Sequence, residues 1–530
     1  MEAEQIKSKL NIEKMKRGFA VVEDYVNKAI YSDFFIIAFL AIAFITWVTE
    51  CATFGFITLG LVLSFVLVFA YDILPLFAGL FSAALMLYTK DMKVLLPLWP
   101  VFIPLGIALV VFVVRNSLRK KQAGDKFELG KMFFPQLAVS AALLLGGVSV
   151  MSGEVYLGAL PSILGLGVAG LAVYILARNF IVKDDGIDKP TYFAKVLAYI
   201  GVVIAIQLIV VMAKSGIDPE KWAKVVWHVG WGNRNNISTY MLFTAPMCLY
   251  LSTKYRYGIV YLLMGALQYI CLVMTFSRGG ILFGFIGMLF GIAFIIYKSK
   301  NRKRLLISAG IVAGVMLVVY LIFMKDLNNI IGSLISRGTG LSGRERLYQE
   351  AWELFKENPF LGCGLGFVGK EGAYGDAIRM YWFHSTFFQV LACMGIIGIL
   401  AYGYSYVMKG IVLCKNLRSS FNLFVIVVFI GFEGYSMMDT GTFIPGAYLL
   451  IVLILMCLVE MFTSTREAIA LDKQDMKKLV ADNETVEKLT TESSECQDND
   501  NEEGIAQLSL ESENEALQQL PENPIEITAE

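Results

Sequence analysis

Long apolar stretches recur along most of this chain, and short polar segments separate them. Most have close to the roughly 17–25 residues that an α-helix needs to cross about 30 Å of hydrocarbon. Only 17% of the residues are charged and 57% are hydrophobic, a balance that excludes a water-soluble globular enzyme. The stretches cover approximately residues 34–49, 52–70, 72–89, 94–114, 132–151, 155–177, 194–213, 238–253, 257–276, 280–297, 305–324, 384–407, 420–438 and 444–462.

The apolar stretches predict the fold class. Hydrocarbon offers the backbone N–H and C=O groups no hydrogen-bond partners, and a helix satisfies these groups within its own segment. We therefore expect an all-α integral membrane protein with about 14 transmembrane helices, within a range of 12–14. The range is open because only Glu50 and Asp72 punctuate the run over residues 34–88.

Charge divides the chain into three parts. Residues 463–530 hold 18 acidic and 5 basic side chains and few aromatic ones, which predicts an acidic, largely disordered cytosolic tail. The formal net charge of the whole chain is zero, so the residues before the tail carry an equal excess of positive charge. Residues 1–33 are basic and amphipathic and lack the features of a signal peptide, which predicts a cytosolic N-terminal segment. Residues 34–462 are the polytopic membrane domain.

Lysine and arginine predict the orientation, because they are retained on the cytoplasmic side of a membrane. With the N-terminus in the cytosol, basic residues are concentrated in alternate segments along all the stretches, so both termini are expected there. The longest loop, residues 325–383 before the third-last helix, is then extracytoplasmic. Its basic residues are Lys325, Arg337, Arg344, Arg346, Lys356, Lys370 and Arg379. So many cations on the outer side predict an anionic ligand.

One of the two histidines in the chain lies at a membrane boundary, where His384 opens the twelfth stretch. On a helix it would share a face with Gly395 and Gly398, whose missing side chains let another helix approach closely. An imidazole exchanges protons near neutral pH and suits a general base acting on a hydroxyl. The alternative interpretation is a polar interfacial residue beside a belt of aromatic side chains.

Arg278 lies at a turn between the ninth and tenth stretches, on the expected outer side. It precedes Gly279 and Gly280, and a guanidinium held at such a turn can grip a phosphate with two parallel hydrogen bonds. The alternative is an interfacial arginine whose charged end extends to water. That alternative places the charge on the side that normally avoids it.

Arg337 and Arg344 flank a glycine-rich segment of the long outer loop. Its backbone amides and Arg344 are suited to cradle an anion, and Ser342 can cap a helix predicted over residues 343–355. The N-terminus of a helix attracts anions through its dipole and its free N–H groups. For Arg346, two residues further on, the alternative is an ion pair with the carboxylate four residues later.

Motifs for metals and nucleotides are missing from the expected outer loops. They contain no H-E-x-x-H, no D-x-D pair and no cluster of carboxylates, so we expect no metal and no other cofactor. The chain also has no Walker motif for ATP. The expected partners are membrane lipids and an anionic substrate, with no nucleic acid.

Three segments resemble one family of membrane enzymes. Residues 384–398 read His-Ser, nine residues, then Gly-Ile-Ile-Gly, which is similar to the H-[NSQ]-x9-G-x-x-[GTY] pattern of bacterial O-antigen ligases. Residues 277–280, Ser-Arg-Gly-Gly, and residues 342–366 also resemble the superfamily of these ligases and Wzy-type polysaccharide polymerases. The resemblance is closest over about residues 230–400 and extends to a many-helix topology with a large outer loop.

The resemblance implies a metal-independent glycosyltransferase of the bacterial cytoplasmic membrane, acting on the outer face in cell envelope biogenesis. The donor would be a glycan on undecaprenyl pyrophosphate, and the acceptor a hydroxyl of a lipid, a glycan or a protein. His384 would be the general base, while Arg278 and Arg344 would hold the leaving pyrophosphate. Arg234 and Asn235 resemble the family's start of the eighth helix and imply further substrate contacts. O-antigen ligase and surface polysaccharide polymerase both stay open.

A transporter or flippase for the same lipid-linked glycan is the competing class. It would need ionisable residues along a path through the middle of the membrane. The stretches offer Glu50, Glu433 and Asp439, each alone or near an end. A transporter would also leave His384 and Arg278 without a purpose.

Overall fold

The structure is a computed structural model of the chain. The described residues are 17–86, 97–214, 229, 234–255, 258–298, 302–322, 328, 332, 344–367, 381–439, 441–443 and 448–463. They all fall within one unit, Met1–Ala468. The predictions made for Arg337 and for the acidic tail beyond Thr463 lie outside the described residues.

The described part of the chain is helical and contains no strand. The helices are α1 Arg17–Ala29, α2 Asp33–Val48, α3 Ala52–Phe69, α4 Leu76–Leu85, α5 Trp99–Ala123, α6 Phe133–Leu145, α7 Gly153–Ile163, α8 Gly170–Phe180, α9 Lys189–Lys214, α10 Arg234–Lys254, α11 Gly258–Met274, α12 Arg278–Lys298, α13 Arg302–Ile322, α14 Arg344–Glu357, α15 Thr386–Cys414, α16 Ser420–Ser436 and α17 Tyr448–Phe462. A π-helical turn, Leu164–Ala169, joins α7 to α8, and a 3₁₀ turn, Gly441–Phe443, precedes α17.

Each predicted apolar stretch coincides with a helix, the sixth with α7 and α8 together. Six helices in the described residues are long and apolar enough to cross a membrane, or seven if the bent pair α1 and α2 forms one span. Five further apolar helices of 10–17 residues are shorter. The expected all-helical membrane protein is confirmed in this coarse sense, whereas the count of fourteen spans and the large extracytoplasmic loop stay predictions.

Helix α10 is buried from Ile237 to Ser252 and packs against α9, α11, α12 and α16. It is less apolar than these neighbours because it carries several hydroxyl groups. Ser238 and Thr239 both donate to the carbonyl of Asn235, at 2.8 and 2.9 Å, so the burial of these hydroxyls costs little. The first residues of α10 therefore reach one end of the bundle on a firmly packed helix.

Helix α15 is broken at Gly395, which has φ 59° and ψ −149°. Glycine adopts this conformation without strain, and an added Cβ would lie 2.5 Å from the carbonyl oxygen of Pro359. The segment after α14 runs along the break. Ile396 N–H donates to the Pro359 carbonyl, and Cys363 N–H donates to the Ala392 carbonyl, both at 2.8 Å. This segment satisfies backbone groups that the break sets free.

The break corrects the helical face predicted for His384. Because α15 begins at Thr386, His384 precedes the helix and shares no helical face with Gly395 or Gly398. Gly395 admits a backbone segment rather than the helix that the sequence predicts. A Cβ added at Gly398 would lie 2.3 Å from the Cβ of Met394. The absence of a side chain at Gly398 therefore lets the helix after the break pack closely on the turn before it.

Candidate functional site

The carboxylate of Asp439 is the centre of a polar cluster at one end of the bundle. Asp439 follows α16, and its side chain is only 4% exposed. The Nδ1 atom of His384 lies 3.1 Å from its Oδ1 atom. At the Oδ2 atom, Asn235 Nδ2 donates at 2.9 Å, Arg344 Nη2 lies at 3.6 Å and the Tyr435 hydroxyl donates at 3.4 Å. Four parts of the chain thus meet at one buried carboxylate.

His384 has a φ of +50°, in the left-handed region that costs a non-glycine residue about 1–2 kcal/mol. Tyr348 of α14 donates to the carbonyl of His384 at 3.2 Å, and its ring stacks on Phe388 with centroids 4.4 Å apart. Burial raises the pKa of Tyr348, so its hydroxyl keeps its proton and stays a donor at physiological pH. The His384 side chain is 39% exposed and therefore links a buried carboxylate to an accessible surface.

The buried side chain of Gln389 fixes the loop that carries His384. Its Nε2 atom donates to the carbonyl of Tyr381 at 2.9 Å, and its Oε1 atom accepts from the N–H of Phe383 at 3.1 Å. These bonds join the first turn of α15 to the residues before it. The position of His384 is therefore set by contacts on both sides.

Helix α14 confirms the helix that the sequence predicts in the long loop, and it extends from Arg344 to Glu357. The Arg344 guanidinium donates to the carbonyl of Met438 and approaches Asp439. A guanidinium has five N–H donors, and this one is 25% exposed. Arg344 therefore has donors for an anion at the same end of the bundle.

Arg234 and Asn235 are the first two residues of α10. The side-chain amide of Asn235 donates to Asp439, while its carbonyl accepts from α10 hydroxyls. Arg234 is half-buried at the first helical position. The structure thus places Asn235 in the cluster and Arg234 beside it in the chain.

Arg278 is the first residue of α12, directly after a strained turn. Phe276 has a φ of +56°, and the Ser277 hydroxyl lies 3.1 Å from the hydroxyl of Tyr435. Because Tyr435 also donates to Asp439, the turn belongs to the same polar network. Arg278 is half-buried at the edge of this network.

Four helices, α10, α12, α14 and α15, begin around the Asp439 carboxylate. The first residues of three of them are Arg234, Arg278 and Arg344. A helix N-terminus carries roughly half a positive charge from its aligned peptide dipoles and presents free N–H groups. The helix dipoles and the side chains of Arg234, Arg278 and Arg344 bring positive charge to this end of the bundle, which is therefore suited to bind an anion.

Of the remaining predicted site residues, the structure gives the position of one. Arg346 lies on α14 with its side chain exposed, and Arg337 lies outside the described residues. Glu350, the alternative partner for Arg346, accepts a hydrogen bond from Tyr381 at 2.9 Å. In the part of the chain that the structure describes, no group of three or more His, Cys, Asp or Glu side chains could hold a metal ion.

Sequence reasoning did not find Asp439, Tyr435 or Ser277 as members of the site. Asp439 is 55 residues from His384, and a single acidic residue near the end of an apolar stretch is typical of a membrane boundary. Tyr435 and Asp439 are four residues apart, a spacing that places two side chains on one helical face. The pair lies at the end of a stretch that is expected to reach the outer side, where the long basic loop also lies, and this is the pattern that points to both residues.

The fold and site define a polytopic helical membrane protein with a cationic, histidine-containing site at one end of its bundle. Residues 260–403 match the O-antigen ligase family, which confirms the resemblance over that region. The match includes Arg278, Arg344 and His384, whereas Asn235 and Asp439 lie outside it. Comparison with curated proteins finds no match to the chain. The apolar helices and the family match indicate a multi-pass protein of the inner membrane with glycosyl transfer of the ligase or polymerase type.

Proposed function

We propose that the protein transfers a glycan from undecaprenyl pyrophosphate to an acceptor hydroxyl at the outer face of the cytoplasmic membrane, without a metal ion. The observation that carries the proposal is the contact of His384 and Arg344 with one buried carboxylate, Asp439. A base and an anion-binding group are thereby held together. Their chemistry is that of hydroxyl activation and phosphate departure.

His384 is the proposed general base. A carboxylate can only accept a hydrogen bond, so Asp439 favours the tautomer in which Nδ1 carries the proton and donates it to Oδ1. The lone pair of Nε2 is then available to accept the proton of the acceptor hydroxyl. Asp439 also fixes the plane of the imidazole and stabilises the imidazolium that forms.

The cationic helix ends are proposed to stabilise the leaving group. As the acceptor oxygen forms its bond to the anomeric carbon, the bond between that carbon and the pyrophosphate oxygen breaks. The electron pair leaves with undecaprenyl pyrophosphate, whose new charge Arg278 and Arg344 neutralise. Arg234 adds charge at the start of α10, and Arg337 and Arg346 are proposed substrate contacts in the long loop. A single displacement of this kind inverts the configuration at the anomeric carbon.

The test is the lipid-linked glycan profile of cells that carry the wild type, His384→Ala, Arg278→Ala or Arg344→Ala at matched membrane levels. Loss of the base or of a cationic group should slow transfer by about 100-fold or more. Lipid-linked glycan should then accumulate while the mature polymer or conjugate disappears. Accumulated single repeat units would indicate a polymerase, and full-length chains would indicate a ligase.

Lys356→Ala is the matched control, because Lys356 is a cation of α14 that pairs with Glu353 at 2.6 Å and lies at the far end of the helix from Arg344. It should leave the glycan profile unchanged. If the protein is instead a transporter, His384→Ala should also leave the glycan profile unchanged. Wild-type profiles for all three site variants would therefore refute the proposed chemistry.

A further inference from the structure

Tyr435 is a buried tyrosine of α16, 2% exposed, whose hydroxyl joins two parts of the site. It donates to Asp439 Oδ2 at 3.4 Å and lies 3.1 Å from the hydroxyl of Ser277. Because a carboxylate only accepts, the single hydroxyl proton of Tyr435 points to Asp439, and Ser277 is then the donor to the tyrosine oxygen. The hydrogen bonds run in one direction, from Ser277 through Tyr435 to Asp439.

The ring of Tyr435 also shapes the turn that carries Arg278. A Cβ added at Gly279 would lie 2.8 Å from the ring, so this glycine lets the turn pack directly on the tyrosine. Gly280 is equally confined, since its added Cβ would lie 2.7 Å from the Ser238 side chain. The first turn of α12 is therefore fitted between α10 and the Tyr435 ring.

Packing alone does not account for a tyrosine at this position. A phenylalanine would fill the same space, whereas a buried hydroxyl costs free energy unless it is hydrogen-bonded. The hydroxyl of Tyr435 uses both its donor and its acceptor capacity. A directed chain of hydrogen bonds at a site of low dielectric constant also strengthens each member.

We infer that Tyr435 is a positioning residue that couples the Arg278 turn to the carboxylate holding His384. The inference rests on the proposed function, because it assigns Arg278 to the pyrophosphate and His384 to the acceptor hydroxyl. Through Ser277, Tyr435 fixes the start of α12, and through Asp439 it fixes the imidazole. One buried hydroxyl thus connects the residues proposed to bind the pyrophosphate with those proposed to activate the acceptor hydroxyl.

The first experiment compares Tyr435→Phe with Tyr250→Phe in the purified full-length protein in proteoliposomes. Tyr250 is the matched control, because it is also buried and its hydroxyl lies 2.9 Å from that of Thr191, away from Asp439. Transfer is measured with lipid-linked glycan extracted from cells carrying His384→Ala, and affinity is measured with undecaprenyl pyrophosphate. Removing the Tyr435 hydroxyl should lower kcat about tenfold and weaken the affinity about threefold. Tyr250→Phe should change neither, and the thermal stabilities of the two variants should be similar.

The second experiment tests the coupling itself. Ser277→Ala and Asp439→Asn are combined in a double-mutant cycle for kcat, once with Tyr435 present and once in the Tyr435→Phe background. With Tyr435 present, the two effects should be non-additive by at least about threefold, and in the Tyr435→Phe background they should multiply independently. Additive effects in both backgrounds would overturn the inference.

Failure of the inference is distinguishable from failure of the proposed function. If Arg278→Ala and His384→Ala abolish transfer while Tyr435→Phe matches Tyr250→Phe, the function stands and the role of Tyr435 is wrong. If Arg278→Ala and His384→Ala retain wild-type transfer, the proposed function itself is wrong. A Tyr435→Phe protein that loses only thermal stability, with kcat unchanged, would assign Tyr435 to packing.

Discussion

Asp439 faces both halves of the proposed reaction, because His384 and Arg344 contact the same carboxylate. Its negative charge orients the imidazole, yet it also offsets part of the positive charge that attracts an anion. These two effects have opposite consequences for a pyrophosphate ligand. A change at this residue therefore separates the catalytic step from donor binding.

We expect Asp439→Asn to lower the transfer rate by about 100-fold, because a neutral amide does not stabilise the imidazolium and, with both a donor and an acceptor, no longer fixes the tautomer of the imidazole. Affinity for undecaprenyl pyrophosphate should stay the same or rise, because a negative charge leaves a cationic site. Initial rates and binding in proteoliposomes measure the two effects. Asp125→Asn, an exposed carboxylate after α5, is the control and should change neither. A parallel loss of rate and affinity would contradict this assignment.

Single residues of the site are predicted by their chemistry rather than by their partners. A rare imidazole, an arginine at a Gly-Gly turn and an arginine in a glycine-rich loop are visible in the sequence as His384, Arg278 and Arg344. The contact that joins two of them is not visible, because Asp439 comes near His384 only through the packing of α15 and α16. Long-range contacts of this kind leave no local pattern.

Helix α15 shows the same limit at the scale of an element. Its apolar sequence predicts a continuous helix through Gly395. A continuous helix would leave no room for the segment after α14, whose backbone lies against the break. The break is stabilised by backbone hydrogen bonds to that segment. Neither the composition nor the periodicity of the sequence predicts these bonds. Similarly, the start of α15 at Thr386 depends on contacts of Gln389 and Tyr348 with the preceding loop.

Gly395→Ala should destabilise the fold and lower activity, because its φ is +59° and the added methyl group would collide with the Pro359 carbonyl. The backbone strain alone costs about 1–3 kcal/mol. Gly403→Ala is the matched control on the same helix, since a Cβ there meets nothing within 4 Å. It should be neutral or stabilising by up to about 1 kcal/mol. Thermal unfolding in detergent measures both variants, and equal melting temperatures would show that the break is not required.

Helices α15 and α16 are also joined by a buried ion pair. Lys409 Nζ lies 2.7 Å from Glu433 Oε1, and the Tyr406 hydroxyl donates to Glu433 Oε2 at 2.8 Å. Glu433 is one of the acidic residues that a transport path would need. Because Glu433 pairs with Lys409, it has a structural role: the pair links α15, which follows His384, to α16, which precedes Asp439.

Lys409→Met should destabilise the protein by about 3–5 kcal/mol, because it leaves the Glu433 carboxylate buried without its partner. Adding Glu433→Gln should recover most of that loss. Lys356→Met, which breaks an exposed pair on α14, should cost less than about 1 kcal/mol. Unfolding in detergent compares the three proteins. Equal melting temperatures for Lys409→Met with and without Glu433→Gln would contradict the ion-pair account.

At the scale of the whole molecule, the apolar stretches predict where helices form but not how they pack. Their positions follow from local composition, and every predicted stretch coincides with a helix. The enclosure of α10 and the meeting of four helix starts at Asp439 depend on tertiary contacts. One consequence follows from the bundle as a unit. The helix ends that form the site must all lie on one side of the membrane, so a single exposed position reports the side of the whole site.

Labelling of engineered cysteines tests that side. Lys356→Cys marks the C-terminal end of α14, and Asp125→Cys marks the loop after α5, in a background in which Cys51, Cys414 and Cys496 are replaced by Ser. The distribution of lysine and arginine predicts that a membrane-impermeant maleimide labels position 356 in intact cells and position 125 only after lysis. The opposite pattern would place the arginines and His384 in the cytoplasm. Transfer at the outer face would then be impossible for this site, whatever the variants at His384 did to activity.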